Sequence, residues 1–197
     1  LVFDIIKDES LEMIEKYGDD RITKIVKAEG EFEDEDLIED ENSIITLTHF
    51  GYIKRMPVYT YKSQRRGGKG IAGLTTREDD FVKQIFNAST HDIILFFTNK
   101  GKLYRLRGFD IPEAGRTAKG TAIVNLLQLD AGEKIAAVIP LKGFNDSKYL
   151  LMNTKNGLIK KTPLTEYDSG RKTGLMAITL KDEDELIDVR LSNGDNN

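Results

Sequence analysis

The chain has 197 residues with no cysteine, no tryptophan, four prolines and two histidines. Without cysteine there is no disulfide framework, thiolate chemistry or cysteine metal cage, a composition that fits a reducing cytoplasm. His49 and His91 stand apart, so turn or core roles outweigh metal binding, and no metal site is expected. No apolar run approaches the roughly 20 residues that cross a bilayer. The N-terminus is amphipathic and acid-rich rather than a basic region followed by an apolar one, so it does not read as a signal peptide. A soluble, cytoplasmic chain is expected. No Ser-His-Asp or paired-carboxylate constellation stands out. Glu78-Asp79 and Asp182–Glu185 read as solubilising turns between strands.

One further absence is local. From Asn42 to Leu74 there is no carboxylate, yet the stretch carries Lys54, Arg55, Lys62, Arg65, Arg66 and Lys69. Within it, Gln64-Arg65-Arg66-Gly67-Gly68-Lys69-Gly70 puts three cations and three glycines into seven residues. So little side-chain bulk lets a polyanion approach the backbone, whose N–H groups add to the Arg and Lys charges. It is not a Walker A loop: Ser63 stands where its first glycine should be, and Gly70 stands where Ser or Thr should bind Mg²⁺. Tyr52, Tyr59 and Tyr61 lie nearby; core packing explains them better than base stacking.

The total charge of −4 hides an asymmetry. Leu1–Asn42 holds 16 acidic and 5 basic residues, net −11, and Ser43–Asn197 holds 17 and 24, net +7. Charge split between segments is a better partner signal than the total. Helical spacing of Ile5, Ile6, Leu11, Met13 and Ile14 predicts a helix to about Tyr17, stopped at Gly18. Arg21–Ala28 reads as a short strand. Glu29–Glu41 carries nine carboxylates in thirteen residues. Such a block is a solvated linker, or it folds back on a basic surface and competes with the anion there.

From Ser43 a pattern repeats. Ile44–Thr48, Ile93–Thr98 and Tyr149–Met152 are apolar strands, each leading through a turn glycine (Gly51, Gly101, Gly157) to a second strand ending in cations. Basic glycine loops follow at Arg65–Gly70, Arg116–Gly120 and Arg171–Gly174. Each unit is expected to continue with an apolar strand (Ile71–Leu74, Thr121–Leu127, Leu175–Leu180), an acidic turn and a last strand (Phe81–Phe86, Ile135–Ile139, Leu186–Leu191). A period near 50 residues with four strands per unit predicts blades of a propeller-like array. Three units are fewer than the 4–8 of a closed propeller, so a piece of a longer protein is expected. The expected parts are 1–28, helix and short strand; 29–42, acidic linker; and 43–197, three blades at about 43–92, 93–146 and 147–197. The second-strand cations Lys54, Arg55, Arg105, Arg107, Lys160 and Lys161 are expected to recur at one structural position and form a stripe on one rim. The loops add Arg116, Lys119, Arg171 and Lys172.

The heptapeptide Gln64–Gly70 resembles the gyrase A box, a motif of the C-terminal domain family of the DNA gyrase A subunit. Lys16-Tyr17-Gly18-Asp19-Asp20-Arg21, Phe97-Thr98-Asn99-Lys100-Gly101, Ile123-Val124-Asn125-Leu126-Leu127 and Asp182–Leu186 are also similar to that family. The resemblance runs nearly end to end. It implies a mainly β fold, a β-pinwheel here about three four-stranded blades long, preceded by the helical tail of the breakage-reunion domain. It implies duplex DNA as partner, wrapped on the basic rim with the box holding one end of the path. It also implies a heterotetramer in which two such chains join two gyrase B chains. ATP and Mg²⁺ would be used by other parts of the enzyme, and the catalytic tyrosine would lie upstream, leaving this chain inactive alone. The topoisomerase IV counterpart has a similar domain with a degenerate or missing box. A kelch-type interaction propeller would place paired glycines in each blade and use Trp.

Overall fold

The structure, a computed structural model, describes residues 2–19, 23, 34–61, 79–144, 147–169 and 174–194. The expected strands at 21–28 and 71–74 and the heptapeptide 64–70 lie outside the described residues, Thr23 apart. The chain divides into two compact units, Leu1–Glu33 and Asp34–Asn197.

In the first unit, Val2–Tyr17 form helix α1, with Asp4 in the first turn and Lys16 in the last, each complementing the helix dipole. It ends where the Gly18 N–H donates to the Ile14 carbonyl at 2.8 Å. Its apolar side chains stay exposed, Phe3 and Ile14 among them.

The second unit holds three antiparallel sheets. The first contains β1 (Asn42–Thr48), β2 (Tyr52–Pro57) and β3 (Val82–Ser89). The second contains β4 (Ile93–Thr98), β5 (Lys102–Arg107) and β7 (Ile135–Leu141). The third contains β8 (Tyr149–Thr154), β9 (Ile159–Pro163) and β11 (Leu186–Ser192). The hairpins share one register, Ile45 opposite Arg55, Leu95 opposite Arg105 and Leu151 opposite Lys161. The turn glycines all have positive φ, 81°, 78° and 83°. At Gly101 a Cβ would also lie 2.3 Å from the Ile178 carbonyl oxygen, so only glycine fits.

The fourth strand of each sheet departs from the sequence expectation. Thr121–Leu127 is not one strand: β6 is Thr121–Ala122 alone, followed by a 3₁₀ turn over Ile123–Asn125. Leu175–Leu180 likewise reduces to β10, Leu175–Met176. Neither joins its own unit. β6 pairs with β2 of the unit before it, and β10 pairs with β5, giving orders β3-β1-β2-β6 and β7-β4-β5-β10. The second and third units thus each lend a strand backward. The third sheet has three strands among the described residues, leaving β9 as an edge.

Alternation packs the sheets face to face. Ile94 and Phe96 point into a core shared with Ile45, Leu47 and Ile53 of the first sheet. Ile93, Leu95 and Phe97 point the other way, against Leu150, Met152 and Val189 of the third. Every residue of β4 is buried because both of its faces are covered.

Of the turns read as solubilising, Asp79, Asp182, Glu183 and Glu185 are exposed as expected, but Asp184 is not. Asp80, Glu133 and Asp184 are each buried at the turn before the last strand of their unit. Asp80 accepts from the N–H groups of Phe50 and Phe81, and Asp184 from those of Asn156 and Glu185. Burial alone would raise their pKa values, but these bonds and the hydroxyls of Thr48 and Thr154 outweigh it and hold both carboxyls below the ordinary aspartate value. A depressed folded-state pKa adds stability that is present above the unfolded value and lost as pH falls through the folded one. The stability deficits of Asp80→Asn and Asp184→Asn, read as thermal midpoints, should therefore be full above about pH 5 and shrink below about pH 4. A deficit constant down to pH 2 would show that the charge is irrelevant.

Candidate nucleic-acid interface

The cations of the second strands fall into three rows, not one stripe, because adjacent strand residues face opposite sides of a sheet. The first row is Lys54, Tyr104 and Lys160, opposite Thr46, Phe96 and Met152. The second is Arg55, Arg105 and Lys161. The third has Arg107 alone, with Pro57 and Pro163 at the equivalent positions.

Lys54 is withdrawn from the surface altogether. It is 1% exposed. Its ammonium donates to the carbonyls of Gly115 (3.1 Å), Arg116 (2.8 Å) and Ala118 (3.0 Å). That uses all three of its donors, so it has none left for a phosphate. Burial holds its pKa below the ordinary lysine value.

The second row ties sheets together. Arg55 pairs with Glu113 at 3.4 Å and donates from Nε to the Ile111 carbonyl; its side chain is only 13% exposed, which removes it from a rim as well. Arg105 pairs with Asp168 at 3.6 Å and lies over the Phe144 ring. In both cases the acid belongs to the following unit. Lys161 is exposed, lies 4.4 Å from the centroid of the Tyr149 ring and donates to the Gly194 carbonyl. In the first row, Lys160 is exposed and donates to the Ala177 carbonyl at 3.0 Å.

Arg107 is held by the acidic segment. Residues 34–41 are not a free linker: Glu35 pairs with Arg107 at 3.0 Å and with His91 at 3.6 Å. His91 Nε2 meets the Ile38 carbonyl at 2.7 Å, and Thr90 bonds to the backbone of Glu39 and Glu41. If Arg107 meets phosphate, Glu35 competes for it. Glu35→Gln should then raise DNA affinity at low salt by up to about fivefold, the range of an exposed ion pair. Unchanged affinity in a binding titration would remove Arg107 from the interface.

The loop 115–120 presents the remaining described cations of the expected set. Arg116 is exposed, and Lys119 lies 5.3 Å from the centroid of the Tyr52 ring. Arg116 also stands near Tyr61, whose pKa is raised by burial and drawn back by that positive charge. Arg171, Lys172 and the heptapeptide residues Gln64, Arg65, Arg66, Gly67, Gly68, Lys69 and Gly70 lie outside the described residues. The buried carboxylates were missed by sequence reading; the signal for them was an acid recurring once per period, 30 to 35 residues after the turn threonines Thr48, Thr98 and Thr154.

Three stacked antiparallel sheets, with the second and third units each passing a strand to the sheet before and the basic loop 115–120 lying at the first junction, define a propeller-type β array. A family model described as DNA gyrase C-terminal domain, beta-propeller, matches residues 42–89, 92–142 and 148–193, one segment per sheet. The chain belongs to this family. It is 58% identical over 191 residues to the DNA gyrase A protein of Clostridium acetobutylicum, covering 97% of this chain and 23% of that one. Its fold is similar to a crystal structure of the C-terminal domain of DNA topoisomerase IV, with TM-score 0.69, 30% identity and coverage of 80% of this chain and 47% of the other. It is also similar to a structure of a DNA gyrase A C-terminal domain, with TM-score 0.61, 28% identity and coverage of 77% and 48%. The chain thus spans about a quarter of the length of the curated relative. Among the described residues no helix is long and apolar enough to cross a membrane.

Proposed function

We propose that this chain binds duplex DNA through phosphates and bends it along the blade junctions, as part of the wrapping domain of a gyrase A protein. The observation that supports this best is the basic loop Arg116–Lys119, with Arg116 exposed and Lys119 half-buried against Tyr52, laid over the edge of the preceding sheet within a body of net charge +7. Among the described residues no α-helix lies in the array to enter a major groove, so preference among sequences comes from how readily DNA bends. In the longer enzyme, wrapping presents a crossing segment with fixed hand, so that ATP-driven strand passage introduces negative supercoils. Two gyrase B chains, a second gyrase A chain, ATP and Mg²⁺ belong to that assembly and its other domains, in the cytoplasm with the chromosome.

The heptapeptide Gln64–Gly70 stands one period before 115–120. The segments after loops 115–120 and 171–174 pair with the unit before them. By the same rule, 71–74 would pair with a unit preceding the first. In a closed array that neighbour is the last blade, and the box bridges the two.

Affinity for random duplexes should fall linearly on a log–log plot against salt, with a slope near −0.9 per phosphate contacted. A slope near zero, or binding confined to one sequence, would overturn the phosphate reading.

A further inference from the structure

The geometry points to Lys54 as the positioning residue of the basic loop 115–120, a buried cation around which the loop is wound so that Arg116 and Lys119 face the DNA. This rests on the DNA-binding reading above. The loop is fastened to β2 on both sides of Lys54. On entry, the Arg55 N–H donates to the Pro112 carbonyl and the Ala114 N–H to the Arg55 carbonyl. On exit, Thr121 and Ala122 pair with Ile53 and Tyr52. Between these fastenings the chain turns, with the Ala118 N–H donating to the Gly115 carbonyl.

Three carbonyl oxygens converge inside this turn, and their only described side-chain donor is the Lys54 ammonium. Carbonyls crowded together without a donor would lose hydrogen bonds made in water and repel one another. The ammonium therefore fixes the loop's shape as well as its charge. The fit is tight: Gly120 has φ +86°, and a Cβ there would lie 2.5 Å from the Ile53 carbonyl oxygen and 3.1 Å from the Lys54 Cβ. One sheet on, the equivalent Tyr104 lies so near Gly174 that a Cβ there would come within 2.7 Å of its ring.

The test uses the intact gyrase A protein carrying this chain and a random-sequence duplex. Lys54→Met should weaken binding as much as Arg116→Ala with Lys119→Ala, about eightfold per lost phosphate contact at 0.1 M salt. The salt slope should fall equally in both, and combining all three substitutions should cost nothing more. Additive losses, or a neutral Lys54→Met, would overturn the proposal. Trypsin supplies a readout without DNA: cleavage after Arg116 and Lys119 should be faster in Lys54→Met, and unchanged cleavage would refute the positioning role. Absence of DNA binding by the unaltered protein would refute the binding reading, while the trypsin result would still decide the loop's dependence on Lys54. Should Lys54→Met fail to fold, Gly120→Ala lifts the loop from β2 while leaving Lys54 in place. It should show the same cleavage and binding losses, and a Gly120→Ala variant matching the parent in both would overturn the proposal.

Discussion

Replacing Glu133 by alanine is expected to destabilise the blade array by roughly 3–5 kcal/mol, since each buried donor left unpaired costs about 1–3 kcal/mol. The carboxylate is 8% exposed and accepts from the Thr98 hydroxyl at 2.8 Å, the Tyr104 hydroxyl at 3.0 Å and the Asp130 N–H at 2.7 Å. Thr98 and Tyr104 are themselves buried, so water does not readily replace the lost acceptor. Burial, and then the bond to Glu133, push the Tyr104 pKa well above the ordinary tyrosine range, which keeps it a donor. Tyr104 retains one partner, the Gln128 carbonyl at 3.0 Å, and for that reason the loss stays below the sum of three orphaned groups. Domains of this size are stable by only about 5–15 kcal/mol, so the change should move the urea midpoint far. Glu133→Gln keeps an acceptor and should cost about half as much. An alanine variant that unfolds at the parent's midpoint would show that the clasp between turn and hairpin does not hold the blade.

That clasp marks the boundary of what the residues disclose on their own. Hairpins were legible because their apolar runs, turn glycines and cationic ends recur with one period, and each is a local property. Pairing partners are not local. Thr121–Leu127 is apolar enough to pass for a strand, yet Ile123 turns into the core after two paired residues. Those two pair with Tyr52 and Ile53, about seventy residues earlier. Lys54 and Arg55 look alike in sequence, and only the face each occupies separates a buried loop anchor from a junction ion pair. Glu35 reads as part of a solvated charge block until Arg107 and His91 are placed beside it. The cations of loop 115–120 and those beneath and between the sheets were read alike as DNA contacts, because composition records charge and not direction.

The heptapeptide should separate touching DNA from wrapping it. Arg65→Ala, Arg66→Ala and Lys69→Ala remove three cations from one loop, each charge-assisted bond contributing about 1.5–3 kcal/mol before compensation. Arg116, Lys119, Lys160 and Lys161 remain on other units, so encounter with a duplex should survive with reduced affinity. Wrapping is more demanding: bending 20–30 bp of DNA by 40–90° costs on the order of 1–6 kcal/mol and must be offset along the whole path. A duplex released at one end follows the junctions only as far as contacts still exceed that cost. Because strand lending would place this loop between the first and last blades, its loss should free the end of the path rather than thin it evenly. In the complete enzyme the triple variant should therefore cleave and relax DNA normally while losing negative supercoiling. Supercoiling assays with cleavage and relaxation run in parallel decide the matter: normal supercoiling would refute the role given to these residues, and loss of all three activities would mean that they serve the cleavage domains instead.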